Sequence, residues 1–312
     1  MKTLTIFAGF AIAMLAGCGG QAIVGNPPQV DSVKTIRPDG HGRRGDLLYL
    51  PIGAYPPHVI IATYPQGNMV GTLAHISTVW GMCADNKGNV WVDTGYELFK
   101  FAHGGTKSIA KLHFPNSGLA TSCAVDPNTG DLAAIQLTSG GTVLNVWPSA
   151  QGEPAVYPAP FEAVACTYDN SGDLFIDGAI TSTQDLALGE LPNGGSEFNN
   201  ITLSETSHWG GGIVWDGQYL AVNTLLPTNP RSQRHLIFRI SVSGSEGQVV
   251  DKIPLRDLAQ TVFFAIQGHT LITSTKSWGT ISLWNYPKGG AHLKRFSGLP
   301  GNAFGMALSL AP

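Results

Sequence analysis

Four residues with hard oxygen donors, Asp93, Glu162, Asp177 and Asn223, recur where successive repeats of the chain start or end a strand. Carboxylates joined by an amide oxygen form the set that Ca²⁺ or Mg²⁺ takes from a protein, so this group is the candidate metal site. The run His208-Trp209-Gly210-Gly211-Gly212 is the second feature with chemical content. Histidine can shuttle a proton, tryptophan gives a stacking surface, and glycines let a ligand or another strand approach the backbone. His208 is therefore the candidate catalytic residue, and Trp209, with Trp80 at a corresponding strand start, the candidate ligand contact. A third feature is the long loop Thr224 to His235, where Arg231, Arg234 and His235 make the chain locally positive. Such a loop on a rigid scaffold suits an anionic glycan or a partner. Each feature has a plainer structural reading: oxygen groups that bond loop backbone, a packed Trp beside a hydrogen-bonded His, and a solvated hairpin.

The elements that position these residues repeat about every 44 residues. One phrase marks the period: Tyr64-Pro65-Gln66-Gly67, Phe101-Ala102-His103-Gly104-Gly105, Trp147-Pro148, Leu191-Pro192-Asn193-Gly194-Gly195 and Tyr286-Pro287-Lys288-Gly289-Gly290, with a degenerate copy at Ile240 to Gly244. Upstream of it stands an apolar strand ending in Asp, a Gly-containing turn and a second strand, as in Trp80 to Val92, Cys123 to Leu132 and Cys166 to Ile176. Asp caps free N–H groups of the turn and Gly takes positive φ, so each copy predicts a hairpin. The Asp-Asn-x-Gly-Asn type of turn lacks the distal Glu of a calcium loop and reads as a turn. Four strands per repeat at this period predict an all-β, six-bladed β-propeller over residues 46–312. Residues 46–76 supply three strands only. Phe304-Gly305-Met306-Ala307-Leu308 matches Trp80-Gly81-Met82-Cys83-Ala84, so the C-terminus is expected to complete the first blade beside Leu47 to Leu50.

Other candidate channel residues are Thr121, Ser122, Thr261 and Asn302 at inner-strand starts, and Gln136 and Thr275 at second-strand ends. Of four cysteines, Cys83, Cys123 and Cys166 fall on inner strands. Three separate buried thiols are the favoured expectation. The alternative is a Cys83–Cys123 bridge between neighbouring blades that leaves Cys166 free. No Cys-x-x-Cys pair occurs, which argues against zinc.

The chain opens with Met1-Lys2, an apolar run over residues 4–16, and Leu15-Ala16-Gly17-Cys18. This is the pattern of an export signal, and the apolar run is too short for a spanning helix. Residues 18–45 are rich in Gly and Pro and read as a flexible tether. Only 12% of residues are charged, Gly numbers 39, and the formal net charge is −3. There is no basic stripe for a nucleic acid. Walker loops, Gly-x-Ser-x-Gly elbows and His-Glu-x-x-His motifs are absent, which disfavours nucleotide-driven, serine-hydrolase and zinc-protease chemistry.

Leu15-Ala16-Gly17-Cys18 resembles the lipobox of bacterial lipoproteins. The resemblance implies cleavage after residue 17, lipid on Cys18 and, with Gly19 next, the outer membrane of a diderm cell. The repeat around Asp85 to Val92 resembles the NHL family of six-bladed propellers. It is similar, more loosely, to streptogramin-lyase-like and gluconolactonase-like propellers, which hold a divalent metal at the centre of one face. The reading is a lipid-anchored extracytoplasmic binding module for an envelope protein, glycan or small molecule. The alternative is a Ca²⁺- or Mg²⁺-dependent lyase or lactonase with its site at the channel mouth.

Overall fold

The computed structural model describes residues 45–52, 58–73, 76, 79–225, 235–256, 263–274, 280–296 and 305–312. Cys18 and the proposed signal and tether lie outside them, apart from Gly45.

The first sheet contains β1 (Leu47–Ile52), β2 (His58–Thr63) and β3 (Met69–Leu73). The second runs β4 (Met82–Ala84), β5 (Val90–Asp93), β6 (Glu97–Phe101) and β7 (Ser108–His113). The third runs β8 (Gly118–Val125), β9 (Leu132–Thr138), β10 (Gly141–Trp147) and β11 (Ala155–Pro158). Next come β12 (Glu162–Tyr168), β13 (Leu174–Ala179), β14 (Leu186–Leu191) and β15 (Asn199–Leu203). They are followed by β16 (His208–Trp215), β17 (Leu220–Leu225), β18 (His235–Ser243) and β19 (Glu246–Pro254). The last set is β20 (Phe264–Gln267), β21 (Thr270–Ser274), β22 (Ile281–Asn285) and β23 (Lys294–Phe296). The C-terminal β24 (Ala307–Ser309) pairs antiparallel with β1, Leu47 opposite Ser309 and Tyr49 opposite Ala307, and supplies the strand that the first repeat lacks.

Hydrogen bonding groups the described strands into four four-stranded sheets and one of eight, rather than six separate sheets. The eight-stranded sheet arises where β15 and β19 meet edge to edge in parallel, through Thr202–Glu246 and Leu203–Gly247. A Cβ at Gly247 would come within 2.9 Å of Ile201 Cγ2 and Leu203 Cδ2, so any other residue would force these side chains to shift.

The burial pattern explains the strand sequences. Every residue of β1 (LLYLPI) and β13 (LFIDGA) is buried, because each sheet is packed on both faces. The outermost β7 is exposed except at Leu112. Among the described residues the core divides into clusters shared by consecutive four-strand units. Tyr49 and Ile61 pack with Val90 and Phe101; Trp91 and Leu98 with Leu132 and Trp147; Ile135 and Leu144 with Ile176 and Leu191. Phe175 and Leu188 pack with Val222 and Phe238; Ile237 and Ala221 with Leu271 and Trp284; and Ile272 and Leu283 return to Leu48 and Ile60 of the first sheet. Burial of one such side chain contributes roughly 1.5–3 kcal/mol.

Side chains tie these units to one another. Cys83 of β4 and Cys123 of β8 form a disulfide with Cα atoms 5.5 Å apart, and Cys166 stays a free, buried thiol. This corrects the expectation of three separate thiols. Cys83 lies two residues before its turn Asp and Cys123 three before, so the two side chains leave opposite faces of their strands and meet between the sheets. Thr121 Oγ1 donates to the Val164 carbonyl (2.8 Å), joining β8 to β12, and the Trp215 N–H donates to Thr167 Oγ1 (3.2 Å), joining β12 to β16.

The repeated Asp residues do cap their turns. Asp85 Oδ1 accepts the Lys87 and Asn89 amides, Asp169 Oδ1 those of Ser171 and Asp173, and Asp216 Oδ1 those of Gln218 and Tyr219. The adjoining asparagines reach sideways. Asn86 Nδ2 donates to the Pro127 carbonyl, Asn128 Nδ2 to Asn170 and Asn170 Nδ2 to Gly217, so each turn is held by the one before it. The repeated phrase is held within its own unit, because Asp131 Oδ1 accepts the Ser149 amide and Asp173 Oδ1 the Asn193 amide.

Candidate functional site

The ends of the second strands and the starts of the first strands fall at one face, and the sequence candidates are distributed there between different layers. Asp177 is fully buried in β13, and its Oδ2 accepts the Trp209 indole N–H of β16 at 3.0 Å. Its Oδ1 has no hydrogen-bond partner of normal geometry among the described residues. Burial pushes the carboxyl up to about 7, against the opposing pull of the Trp209 indole and of nearby backbone amides. Asp93, at the end of β5, is also fully buried and pushed up to about 7 by burial. Its Oδ1 accepts the Gly95 amide at 2.6 Å, and its Oδ2 has no partner among the described residues.

Asn223 in β17 is fully buried. Its Nδ2 donates to the Gly210 carbonyl (3.1 Å), and its Oδ1 lies 3.1 Å from His235 Nδ1. With the amide so oriented, His235 donates through Nδ1 and is neutral, in keeping with burial that pushes its pKa down to about 4. His235 therefore does not add positive charge to the preceding loop, contrary to expectation; it faces inward from the first position of β18. Arg231 and Arg234, like Thr261, Thr275 and Asn302, lie outside the described residues.

Glu162 begins β12, half-buried, and its Oε2 accepts the Thr181 hydroxyl at 3.2 Å. His208 begins β16 half-exposed, with Nδ1 3.5 Å from Asp185 Oδ1. Asp185, in the β13–β14 connection, is the partner that sequence reasoning missed, since it belongs to no repeated pattern. Trp80 is half-buried just before β4, and its carbonyl lies 2.9 Å from where a Cβ on Gly305 would stand. Thr121 and Ser122 are buried on β8, and Gln136 is buried on β9, where its Nε2 donates to the Asn116 carbonyl at 2.7 Å.

Three of the four proposed oxygen ligands leave their strands into different layers. Asp177 lies on the Phe175 side of β13, in the layer shared with Val222, whereas Asn223 lies on the Ala221 side of β17, in the layer shared with Trp284. Asp93 shares the Trp91 side of β5, a third layer. Among the described residues, no group of three or more His, Cys, Asp or Glu is placed to hold a metal ion. The one-residue alternation of strands makes this split, and the repeat pattern alone does not reveal which layer a strand end enters.

The same face carries a recess of about 420 Å³ at the β9–β10 hairpin. Asn116, Ser117, Thr138, Ser139 and Thr142 supply its amide and hydroxyl groups, and Val143 and Pro158 its apolar surface. A run of small polar residues at a hairpin looks like any turn, so the sequence did not single it out.

No family model matches the chain, and no curated protein matches it. Solved structures do resemble it. A chain of the nidogen/laminin complex is 12% identical, with 85% of this chain and 99% of that one covered at a TM-score of 0.64. A protein of unknown function from Bacteroides caccae is 10% identical, with coverages of 85% and 99% and a TM-score of 0.56. Hydrazine synthase of Kuenenia stuttgartiensis is 13% identical, with coverages of 73% and 70% and a TM-score of 0.55. At these identities the likeness speaks to fold alone, and the fold is that of a β-propeller.

Proposed function

We propose that this chain is a six-bladed β-propeller, held outside the cytoplasm by lipid on Cys18, that acts as a binding module. Six blades follow if the eight-stranded sheet is two blades touching at their outer edges, a view supported by its two-residue contact and by the apolar layer between its halves. The Cys83–Cys123 bridge suits an oxidising compartment. The observation that carries the binding reading is the recess on a scaffold whose neighbouring inner strands are tied by a disulfide and side-chain hydrogen bonds. A rigid frame lowers the ordering cost of recognition.

Fractionation tests the address: the wild-type chain should sediment with membranes carrying acylated Cys18, and Cys18→Ser should release it. Elemental analysis with a Ca²⁺ and Mg²⁺ titration tests the role. A stoichiometric ion lost in Glu162→Gln or Asp177→Asn would replace the binding reading with the metal-dependent lyase or lactonase. An ion-free protein with no thermal shift in either metal retains it.

A further inference from the structure

We propose that the recess at the β9–β10 hairpin binds a neutral, hydroxyl-rich ligand, an uncharged saccharide; the inference rests on the binding-module reading and gives it a ligand class. The lining contains no charged side chain, so neither an anion nor a cation finds a counter-charge in it. Instead it offers short hydroxyls, an amide and small apolar surfaces side by side. That alternation matches a sugar ring, which presents hydroxyls at its edge and C–H groups on its faces.

The hairpin is fixed in advance. Thr138 Oγ1 donates to the Gly141 carbonyl (2.8 Å) and accepts the Gly140 amide (3.2 Å). Ala159, also in the lining, donates its N–H to the Thr142 carbonyl (2.9 Å). Gly141 has φ +120°, a conformation that glycine adopts freely, and nothing stands within 4 Å of a Cβ there, so its backbone is open to a ligand.

Behind the recess runs a buried polar relay. Val143 faces Gln136 across the β9–β10 pair, and Asn145 is two residues along β10 on the same side. Gln136 and Asn145 are both fully buried. Gln136 donates to the carbonyl of Asn116 in the lining, and Asn145 Nδ2 approaches Gln136 Oε1 at 3.5 Å. Asn145 Oδ1 has no hydrogen-bond partner among the described residues. The relay holds the Asn116 carbonyl of the lining from behind, so this polar group is oriented before a ligand arrives.

The test is an array of neutral and anionic oligosaccharides probed with the Cys18→Ser chain, followed by calorimetry on any sugar bound. Gly140→Trp is the blocking variant: Gly140 lies outside the left-handed region and its Cβ would meet nothing nearer than Thr138 Oγ1 at 3.8 Å, so the fold should tolerate it. The expected result is binding of a neutral sugar that Gly140→Trp weakens about tenfold or more with no change in melting temperature, and that Thr142→Val weakens several-fold. Binding of anionic sugars alone, neutral-sugar binding that Gly140→Trp leaves intact, or no sugar bound would each overturn the inference. A protein or other partner captured equally by wild type and Gly140→Trp would at the same time leave the binding-module reading standing.

Discussion

The Trp209 indole N–H donates to Asp177 Oδ2 at 3.0 Å, so a side chain from the start of β16 holds a carboxyl buried in β13. The candidate stacking surface and the candidate metal ligand thus hold each other. Trp209→Phe keeps the ring and removes the donor, leaving Asp177 without its side-chain partner. The expected loss is about 1–3 kcal/mol of stability, read by urea unfolding. Above about pH 7, where Asp177 is ionised, Asp177→Asn in the Trp209→Phe background should recover part of it, because the charge that lacked a donor is gone. A fully stable Trp209→Phe would show that the bond does not matter.

Asp93 and Asp177 give a pH dependence of unusual sign. Both are raised by burial to about 7, whereas an unfolded Asp titrates near 3.8. Between those values the folded protein holds more protons, so stability falls as pH rises and levels off above about 7. Half-buried Glu190, raised by burial and then by Asp173, acts with the same sign. His235 opposes them: its folded pKa is lowered to about 4 from 6.5, so its contribution is complete above 6.5 and lost as pH falls toward 4. From pH 6.5 to 7.5 the two aspartates act without that opposition. Urea midpoints should therefore drop across this interval in wild type and stay level in Asp93→Asn/Asp177→Asn. An identical profile in both proteins would rule out the buried carboxyls as its source.

The Cys83–Cys123 bridge closes a loop with a sequence separation of 40. Chain-entropy reasoning puts its contribution at roughly 4 kcal/mol. Reduction, or Cys83→Ser, should lower the unfolding midpoint accordingly. Burial pushes the Cys166 thiol up to about 12, with Ser122 opposing, so it should be inert in the folded chain. Alkylation followed by mass spectrometry should label none of these three cysteines in the native protein, one after unfolding and three after unfolding with reductant. Three labels without reductant would remove the bridge.

Ser309 anchors the C-terminal strand. It is fully buried, donates to the Gly88 carbonyl and lies 2.6 Å from His103 Nδ1, while Asp46 Oδ1 accepts the Ala311 amide at 3.0 Å. Ser309→Ala leaves the Gly88 carbonyl without this donor and is expected to cost about 1–3 kcal/mol. Removal of residues 305–312 exposes the edge of β1 and should cause aggregation, measurable by light scattering. A monomeric truncated protein of wild-type stability would show that β24 does not secure the first sheet.

The sequence by itself determined the strand content, the period, the Asp-capped turns and the pairing of the C-terminus with Leu47 to Tyr49. These are local or repeated signals: Asp85, Asp169 and Asp216 bond amides within four residues, and β24 repeats the apolar pattern of β4. It also held both outcomes for the cysteines, since the one-residue offset of Cys83 and Cys123 is visible in the chain. Tertiary structure decided between them, because a bridge needs two Cα atoms brought to 5.5 Å. It also decided that Asp93, Asp177 and Asn223 enter three different layers, that His208 meets Asp185, and that His235 turns inward. Each of those outcomes depends on which face of a strand meets which neighbour. One bulge, such as that between Ala163 and Ala165, shifts the alternation, and the repeat pattern carries no mark of it.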